Sequence, residues 1–172
     1  MKKQTPADLP SGAHDFDFLH GSWTVAHARL ATRLSASSDW EHFSGTTIVR
    51  PILGGLGNFD ENTIDLPAGA YRASTLRLFD PETALWSLHW IDSRRMHLDP
   101  PLQGSFADGV GLFFGDDHHD GTPIRIRFTW TAPTVDCARW EQAFSIDDGA
   151  SWEANWVMDF TRAAREEGEG GA

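Results

Sequence analysis

Hydrophobic and polar residues alternate with a period of two along several short runs of the chain. The clearest run places an apolar row on one side of an extended segment, made of Ile124, Ile126, Phe128 and Trp130. Successive side chains of a β-strand point to opposite faces, so this row predicts a strand with one buried face. Residues 86–92 and 152–160 show the same alternation.

Ten segments of this kind recur along the sequence and are predicted as strands, near residues 22–30, 39–50, 57–65, 71–79, 84–92, 102–107, 110–116, 122–131, 137–146 and 152–161. The connections contain turn residues, as in Asp108-Gly109 and Asp120-Gly121. Sequential strands joined in this way hide their edges by closing on themselves. We therefore predict an all-β protein, a single antiparallel up-and-down barrel of about 8–10 strands, with a short helix near residues 14–20 plugging one end.

The two ends of the chain lack this pattern. Residues 1–13 contain Pro and Ser without periodicity, and residues 163–172 are acidic and rich in Gly. Segments with so few apolar residues do not bury a core of their own. The sequence predicts one barrel domain over residues 14–162, between a flexible N-terminal segment and a disordered tail.

Composition narrows the possible partners. The formal net charge of −11 opposes binding to nucleic acid and to anionic membranes, and neither is expected as a partner. Cys137 is the only cysteine, which excludes an internal disulfide and a thiolate metal site, and we expect it to be buried. No leader or apolar run of spanning length is evident, so a cytoplasmic location is expected. The 8 Trp and 11 Phe suit a barrel lining or a binding cavity.

The segment DFLHGSW, residues 17–23, resembles the Gly-x-Trp start of the first strand in calycins, the superfamily of lipocalins and fatty-acid-binding proteins. The resemblance implies that Trp23 closes one end of the barrel beneath a basic side chain of the last strand, here Arg162. A longer resemblance covers about residues 16–162 and is to a bacterial lipocalin-like family of uncharacterised function. The segments that carry it are 54–61, 76–81, 86–90 and 139–145.

This resemblance implies a barrel with a ligand cavity and brings no established reaction. The nitrobindin-like members of the superfamily bind haem through a His near the C-terminus, whereas this chain has no His after His119. We therefore expect no haem and no other cofactor. The segment DDHHD, residues 116–120, has the composition of a metal cluster, but its position before Gly121 predicts a solvated turn, and no metal is expected.

Polar residues on apolar inward rows are the candidates for ligand contacts, because burying a polar group is costly unless it has a partner. Asp92, Gln142 and Glu61 are such residues. We expect them to converge on a pocket whose further lining residues are Trp90, Trp130, Trp156, Phe59 and His42. If no pocket forms, the polar residues would lie in water at strand ends or bond to neighbouring strands.

Three functions remain open from the sequence. The leading hypothesis is a barrel that binds a small, mainly apolar or aromatic molecule. The alternative is a cofactor-independent enzyme, an isomerase, cyclase or hydro-lyase acting on a hydrophobic metabolite, in which Glu61 or Asp92 moves a proton and surrounding Trp residues shift the carboxyl pKa towards neutrality. The third is a filled barrel with a structural or interaction role, for example as a homodimer.

Overall fold

The computed structural model describes residues 9–164, and ten antiparallel strands account for most of them. The strands are β1 (Gly21–Leu30), β2 (Trp40–Ile52), β3 (Gly57–Ile64), β4 (Tyr71–Asp80), β5 (Leu85–Asp92), β6 (Leu102–Ala107), β7 (Val110–His119), β8 (Thr122–Thr134), β9 (Cys137–Ser145) and β10 (Glu153–Arg162). Each strand pairs with its neighbours in sequence, and β1 pairs with β10 to close the barrel. The predicted all-β up-and-down barrel is confirmed.

Two neighbouring strands of the barrel pair over only a short length, and the barrel opens where their pairing ends. Strands β5 and β6 share only three residue pairs, from Trp86 opposite Gly104 to Leu88 opposite Leu102. The second half of β5, with Trp90 and Asp92, therefore has no β6 partner. The loop that follows folds back instead, and the backbone N–H of Asp99 donates to the carbonyl of Trp90 at 2.9 Å.

The opposite end of the barrel is plugged by the N-terminal segment. The predicted short helix consists of two 3-10 turns, Ser11–His14 and Asp17–Leu19. Ala13 is buried and Trp86 Nε1 donates to the carbonyl of Gly12 at 3.0 Å, so the packed structure begins before the predicted boundary at residue 14. The rest of the two predicted flexible ends, residues 1–8 and 165–172, lies outside the described residues.

Trp23 and Arg162 close this end as the sequence predicts. Trp23 is fully buried and its indole N–H donates to the carbonyl of Leu19 at 2.7 Å. The guanidinium carbon of Arg162 lies 4.1 Å from the Trp23 ring centroid. Arg162 also donates to the carbonyls of His20 at 2.8 Å and Phe18 at 2.9 Å, which ties the plug to the last strand.

The structure also bears on the expected burial of Cys137 and on the search for membrane-spanning helices. Cys137 is exposed at the start of β9, so the prediction of a buried cysteine is wrong. Within residues 9–164, no helix has the length and apolar character needed to cross a membrane.

Candidate functional site

A cavity of about 250 Å³ opens at the end of the barrel opposite the plug. Its apolar walls come from inward positions of four strands and the start of β6, namely Leu88, Trp90, Leu102, Ile124, Ile126, Phe128, Trp140, Phe144 and Trp156. An apolar cavity of about 150 Å³ holds one benzene molecule. This cavity therefore has room for a molecule of one or two rings.

Three tryptophans form the aromatic part of the wall. The ring centroid of Trp156 lies 6.1 Å from that of Trp90 and 5.6 Å from that of Trp140, and both pairs meet edge to face. Trp90 and Trp156 are predicted pocket residues, and the structure brings them together. Trp140 is not among the predicted site residues, although its alternation with Gln142 and Phe144 on β9 marks it as facing inward.

Trp130 lies deeper than the sequence predicts. It is buried on the same row of β8, but its neighbours are the plug residue Phe16, at a centroid distance of 5.9 Å, and Phe160, at 5.3 Å. It borders a separate void of about 30 Å³ below the main cavity. Trp130 therefore belongs to the filled half of the barrel.

His27 sits behind Trp156 and fixes its orientation. The indole N–H of Trp156 donates to His27 Nδ1 at 3.2 Å, and the Phe43 ring stacks on the imidazole at 4.8 Å. Burial, assisted by the positive charge of Arg29, lowers the pKa of His27 to about 4. The imidazole is therefore neutral at pH 7, as its role as hydrogen-bond acceptor requires.

Asp92 faces the cavity as predicted, but its chemistry differs from the prediction. Burial alone would raise the pKa of Asp92, yet hydrogen bonds and charge from Arg94, with a hydrogen bond from Trp90, lower it to about 2. Arg94 donates from Nη2 at 2.9 Å and from Nε at 3.2 Å. The expectation of a carboxyl pKa near neutrality is therefore wrong, and Asp92 is a weak base held in an ion pair.

Glu61 and Phe59 are placed on the wrong face by the sequence interpretation. Glu61 is exposed on the outside of β3, where Arg50 Nη1 lies 3.5 Å from its carboxylate, and Phe59 lies beside it in an open external groove. The inward residues on either side of Phe59 are polar, Asn58 and Asp60, and the apolar Ile64 follows at the end of the strand. Glu61 and Asp92 therefore do not form a carboxylate pair inside the barrel.

The polar inward residues of β3 are the partners of the buried Arg77 on β4. Arg77 Nη2 lies 2.6 Å from Asp60 Oδ2, Arg77 Nη1 donates to Asn58 Oδ1 at 3.0 Å, and both charged side chains are buried. A buried arginine needs such partners, because an uncompensated charge in a low-dielectric interior is very costly. The Arg77–Asp60 pair lies beneath the cavity and was missed from the sequence, although Arg77 alternates with Thr75 and Phe79 on an inward row.

The remaining predicted residues divide between inside and outside. His42 is exposed on the outer face of β2, so its predicted place in the pocket is wrong. Gln142 does line the cavity, and its amide donates to Asn155 Oδ1 at 2.9 Å. The segment 116–120 is not a simple solvated turn, because β7 continues to His119, whose ring faces the cavity 5.5 Å from Phe144.

The rim of the cavity carries four arginines that the sequence analysis did not identify: Arg29, Arg33, Arg94 and Arg95. Three of them have carboxylate partners, since Arg94 lies 2.9 Å from Asp92, Arg95 lies 3.0 Å from Asp99 and Arg29 lies 3.4 Å from Glu41. With four arginines against three aspartates in its lining, the mouth of this acidic protein is richer in basic residues than the chain as a whole. Among residues 9–164, no group of three or more His, Cys, Asp or Glu residues is arranged to hold a metal ion.

Comparison with known proteins identifies a fold relative. No protein-family model matches the chain, and no curated protein sequence matches it. The solved structure of the S-type phycobiliprotein lyase CPES from Guillardia theta is similar, with a TM-score of 0.58 and 9% sequence identity over 87% of this chain and 90% of that one. The protein therefore shares the barrel fold of that lyase.

Proposed function

We propose that this protein binds a small aromatic molecule in the open end of its barrel. The observation that carries the proposal is the cavity of about 250 Å³ bounded by Trp90, Trp140 and Trp156. Aromatic side chains offer large contact areas and favour edge or offset contacts with a bound ring. A concave, mainly apolar site with a few polar groups is the usual form of a small-molecule site.

The fold relative supports the same function in general terms. A phycobiliprotein lyase with this architecture is consistent with a barrel that handles a small molecule. The size of the cavity favours a ligand of one or two fused rings, which would lie against Trp156 and Trp90.

Acid/base catalysis by a pair of carboxylates receives no support from the geometry. Glu61 faces the outside, and the low pKa of Asp92 leaves it without basic strength at neutral pH. An efficient general base has a pKa near the working pH. We therefore propose a binding protein in preference to an isomerase, cyclase or hydro-lyase that uses these residues.

The proposal is tested by nuclear magnetic resonance of the indole N–H groups during titration with 2-naphthol. Each of the 8 Trp residues gives one indole signal. We expect the signals of Trp90, Trp140 and Trp156 to shift, since their rings line the cavity. The signals of Trp23, at the closed end, and of Trp152, beside Phe114 outside the cavity, should remain in place.

A matched pair of variants completes the test. Trp90→Leu should weaken 2-naphthol binding about tenfold, because aromatic anchors carry much of the affinity at such sites. Trp152→Leu makes the same change outside the cavity and should leave the affinity unchanged. Shifts confined to Trp152, or equal affinities in the two variants, would contradict binding inside the barrel.

A further inference from the structure

Seven buried side-chain polar atoms have no hydrogen-bond partner among the described residues, and three donors among them lie on the arginine-lined side of the cavity. These three donors are the Nε atoms of Arg29 and Arg33 and the hydroxyl of Tyr71. Most buried polar atoms in folded proteins are hydrogen-bonded, and an unsatisfied one carries a desolvation cost. Three unsatisfied donors in one region therefore indicate a place for an acceptor that the protein itself does not supply.

Two of the three donors belong to residues that line the cavity, and the third, Tyr71, packs against Arg94, which also lines it. Arg29 and Arg33 both line the cavity, and the guanidinium carbon of Arg29 is 5.6 Å from the Trp156 ring centroid. The guanidinium carbon of Arg94 is 3.7 Å from the Tyr71 ring centroid. Burial raises the pKa of Tyr71, whereas the charges of Arg94, Arg29 and Arg33 act to lower it, as expected for a phenol surrounded by guanidinium groups.

The nearby carboxylates are largely committed to other partners. Glu41 approaches Arg29 only to 3.4 Å, at the long end of hydrogen bonding. Both carboxylate oxygens of Glu153 accept the backbone N–H of Leu34, at 2.8 and 3.0 Å. Within residues 9–164, Arg33 has no carboxylate at salt-bridge distance, and burial followed by the charge of Arg29 lowers its pKa.

We infer that the ligand of this barrel is an organic acid, with a ring against Trp156 and Trp90 and a carboxylate between Arg29 and Arg33, near the Tyr71 hydroxyl. This inference rests on the proposed function. Guanidinium groups match the geometry of a carboxylate and bond it with two parallel N–H donors. The contact of Arg29 with Trp156 joins the site of the acid group to the site of the ring.

The charged residues that line the cavity favour a ligand with a single negative charge. Four arginines and three aspartates, Asp92, Asp99 and Asp117, line the cavity, which leaves one positive charge in excess. A single carboxylate suits this small excess better than a dianion such as a phosphate monoester, because Glu41 also offsets part of the charge of Arg29. The remaining ionisable residues of the lining are His118 and His119.

The inference is tested by isothermal titration calorimetry with 2-naphthoate and 2-naphthamide, which share a ring system and differ in charge. The wild-type protein should bind the acid at least about tenfold more tightly, because charge-assisted hydrogen bonds are about twice as strong as neutral ones. Arg33→Gln should remove most of that preference and leave the affinity for the amide unchanged. Arg50→Gln, the same change on the outer surface, should leave both affinities unchanged.

A second variant tests the inference without altering a charge. Tyr71→Phe removes only the unpaired hydroxyl, and it should weaken binding of the acid severalfold with no effect on the amide. Equal affinities of the wild-type protein for acid and amide would overturn the organic-acid inference and leave the aromatic cavity intact. Failure of both compounds to bind at millimolar concentration would overturn the proposed function together with the inference.

Discussion

The two ends of the barrel use the same kinds of side chain for opposite purposes. At the closed end, the plug residue Phe16 contacts the rings of Trp86, Phe106, Phe113 and Trp130, at centroid distances of 5.0, 5.0, 5.6 and 5.9 Å. At the open end, Trp90, Trp140 and Trp156 meet by their edges around an empty space of about 250 Å³. A high content of aromatic residues alone therefore does not mark a binding site. Where the plug is present the rings form a packed core, and where it is absent they form the wall of a cavity.

The arginines repeat the contrast. Arg162 at the closed end donates to three carbonyls, those of Phe18, His20 and Val135. Arg33 at the open end has a buried Nε with no acceptor among residues 9–164, as has Arg77 deeper in the barrel. Arg162 stabilises the fold through these bonds, whereas the unsatisfied donor of Arg33 lies where a ligand in the cavity can complete its bonding. The open end thus carries the locally unfavourable features that are typical of functional sites.

The largest expected difference between the two ends is in the cost of removing a tryptophan. Trp23→Ala should lower the free energy of unfolding by about 3–5 kcal/mol, the range for large aromatic residues in a packed core. Trp90→Ala removes a partly exposed ring beside an existing cavity and should cost about 1–2 kcal/mol. Urea denaturation of the two variants measures both values. Equal losses would show that the open end is packed like the closed one.

The next effect concerns pH and His27. Its pKa of about 4 in the folded protein lies below the value of 6.5 in the unfolded chain, so protons bind the unfolded state more readily. Stability should therefore be at its full value above pH 6.5 and fall as the pH decreases to about 4. The loss attributable to His27 is about 3 kcal/mol.

His27→Gln should flatten most of this pH dependence, measured as the free energy of unfolding between pH 7 and pH 4. Some slope will remain, because burial also lowers the pKa of His20. His42→Gln changes an exposed histidine on the outer face and serves as the control, with the wild-type slope. If both variants keep the full slope, His27 is not the group that titrates.

The smallest expected difference is in the stability lost when Arg162 or Arg33 is replaced. Arg162→Met leaves three carbonyls without their donor and should cost about 1–3 kcal/mol. Arg33→Met removes a guanidinium that has no carboxylate partner among residues 9–164, so thermal unfolding should show a change near zero or a slight gain. A loss from Arg33→Met as large as that from Arg162→Met would show that Arg33 is a structural residue.

Most of the fold can be predicted from the sequence, because period-two rows and turn residues report directly on strands. The row of Trp86, Leu88, Trp90 and Asp92 also gives the correct inward face of β5. Strand β3 fails for a physical reason. Its aromatic residue, Phe59, lies outside, and the first half of its inward face is polar because the buried Arg77 of β4 needs Asp60 and Asn58. The face of β3 that is buried depends on a charged partner on another strand. The alternation of residues within β3 alone does not reveal that partner.

The basic rim could not be predicted for a different reason. Arg33 lies in the β1–β2 loop and Arg94 follows β5, so the two are far apart in sequence and meet only in the closed barrel. The net charge of −11 also argues against an anion site. A net charge sums over the whole protein surface, whereas a ligand in the cavity is exposed mainly to the charges at its mouth. The sequence assigns His119 to a solvated turn because the predicted strand ends at residue 116, three residues before the end of β7.

The crystal structure of the protein with bound 2-naphthoate tests the central claim most directly. We expect electron density for the ring against Trp156 and Trp90, with the carboxylate within hydrogen-bond distance of Arg33. Density in the external groove beside Phe59 and Ile48, with an empty barrel, would contradict it.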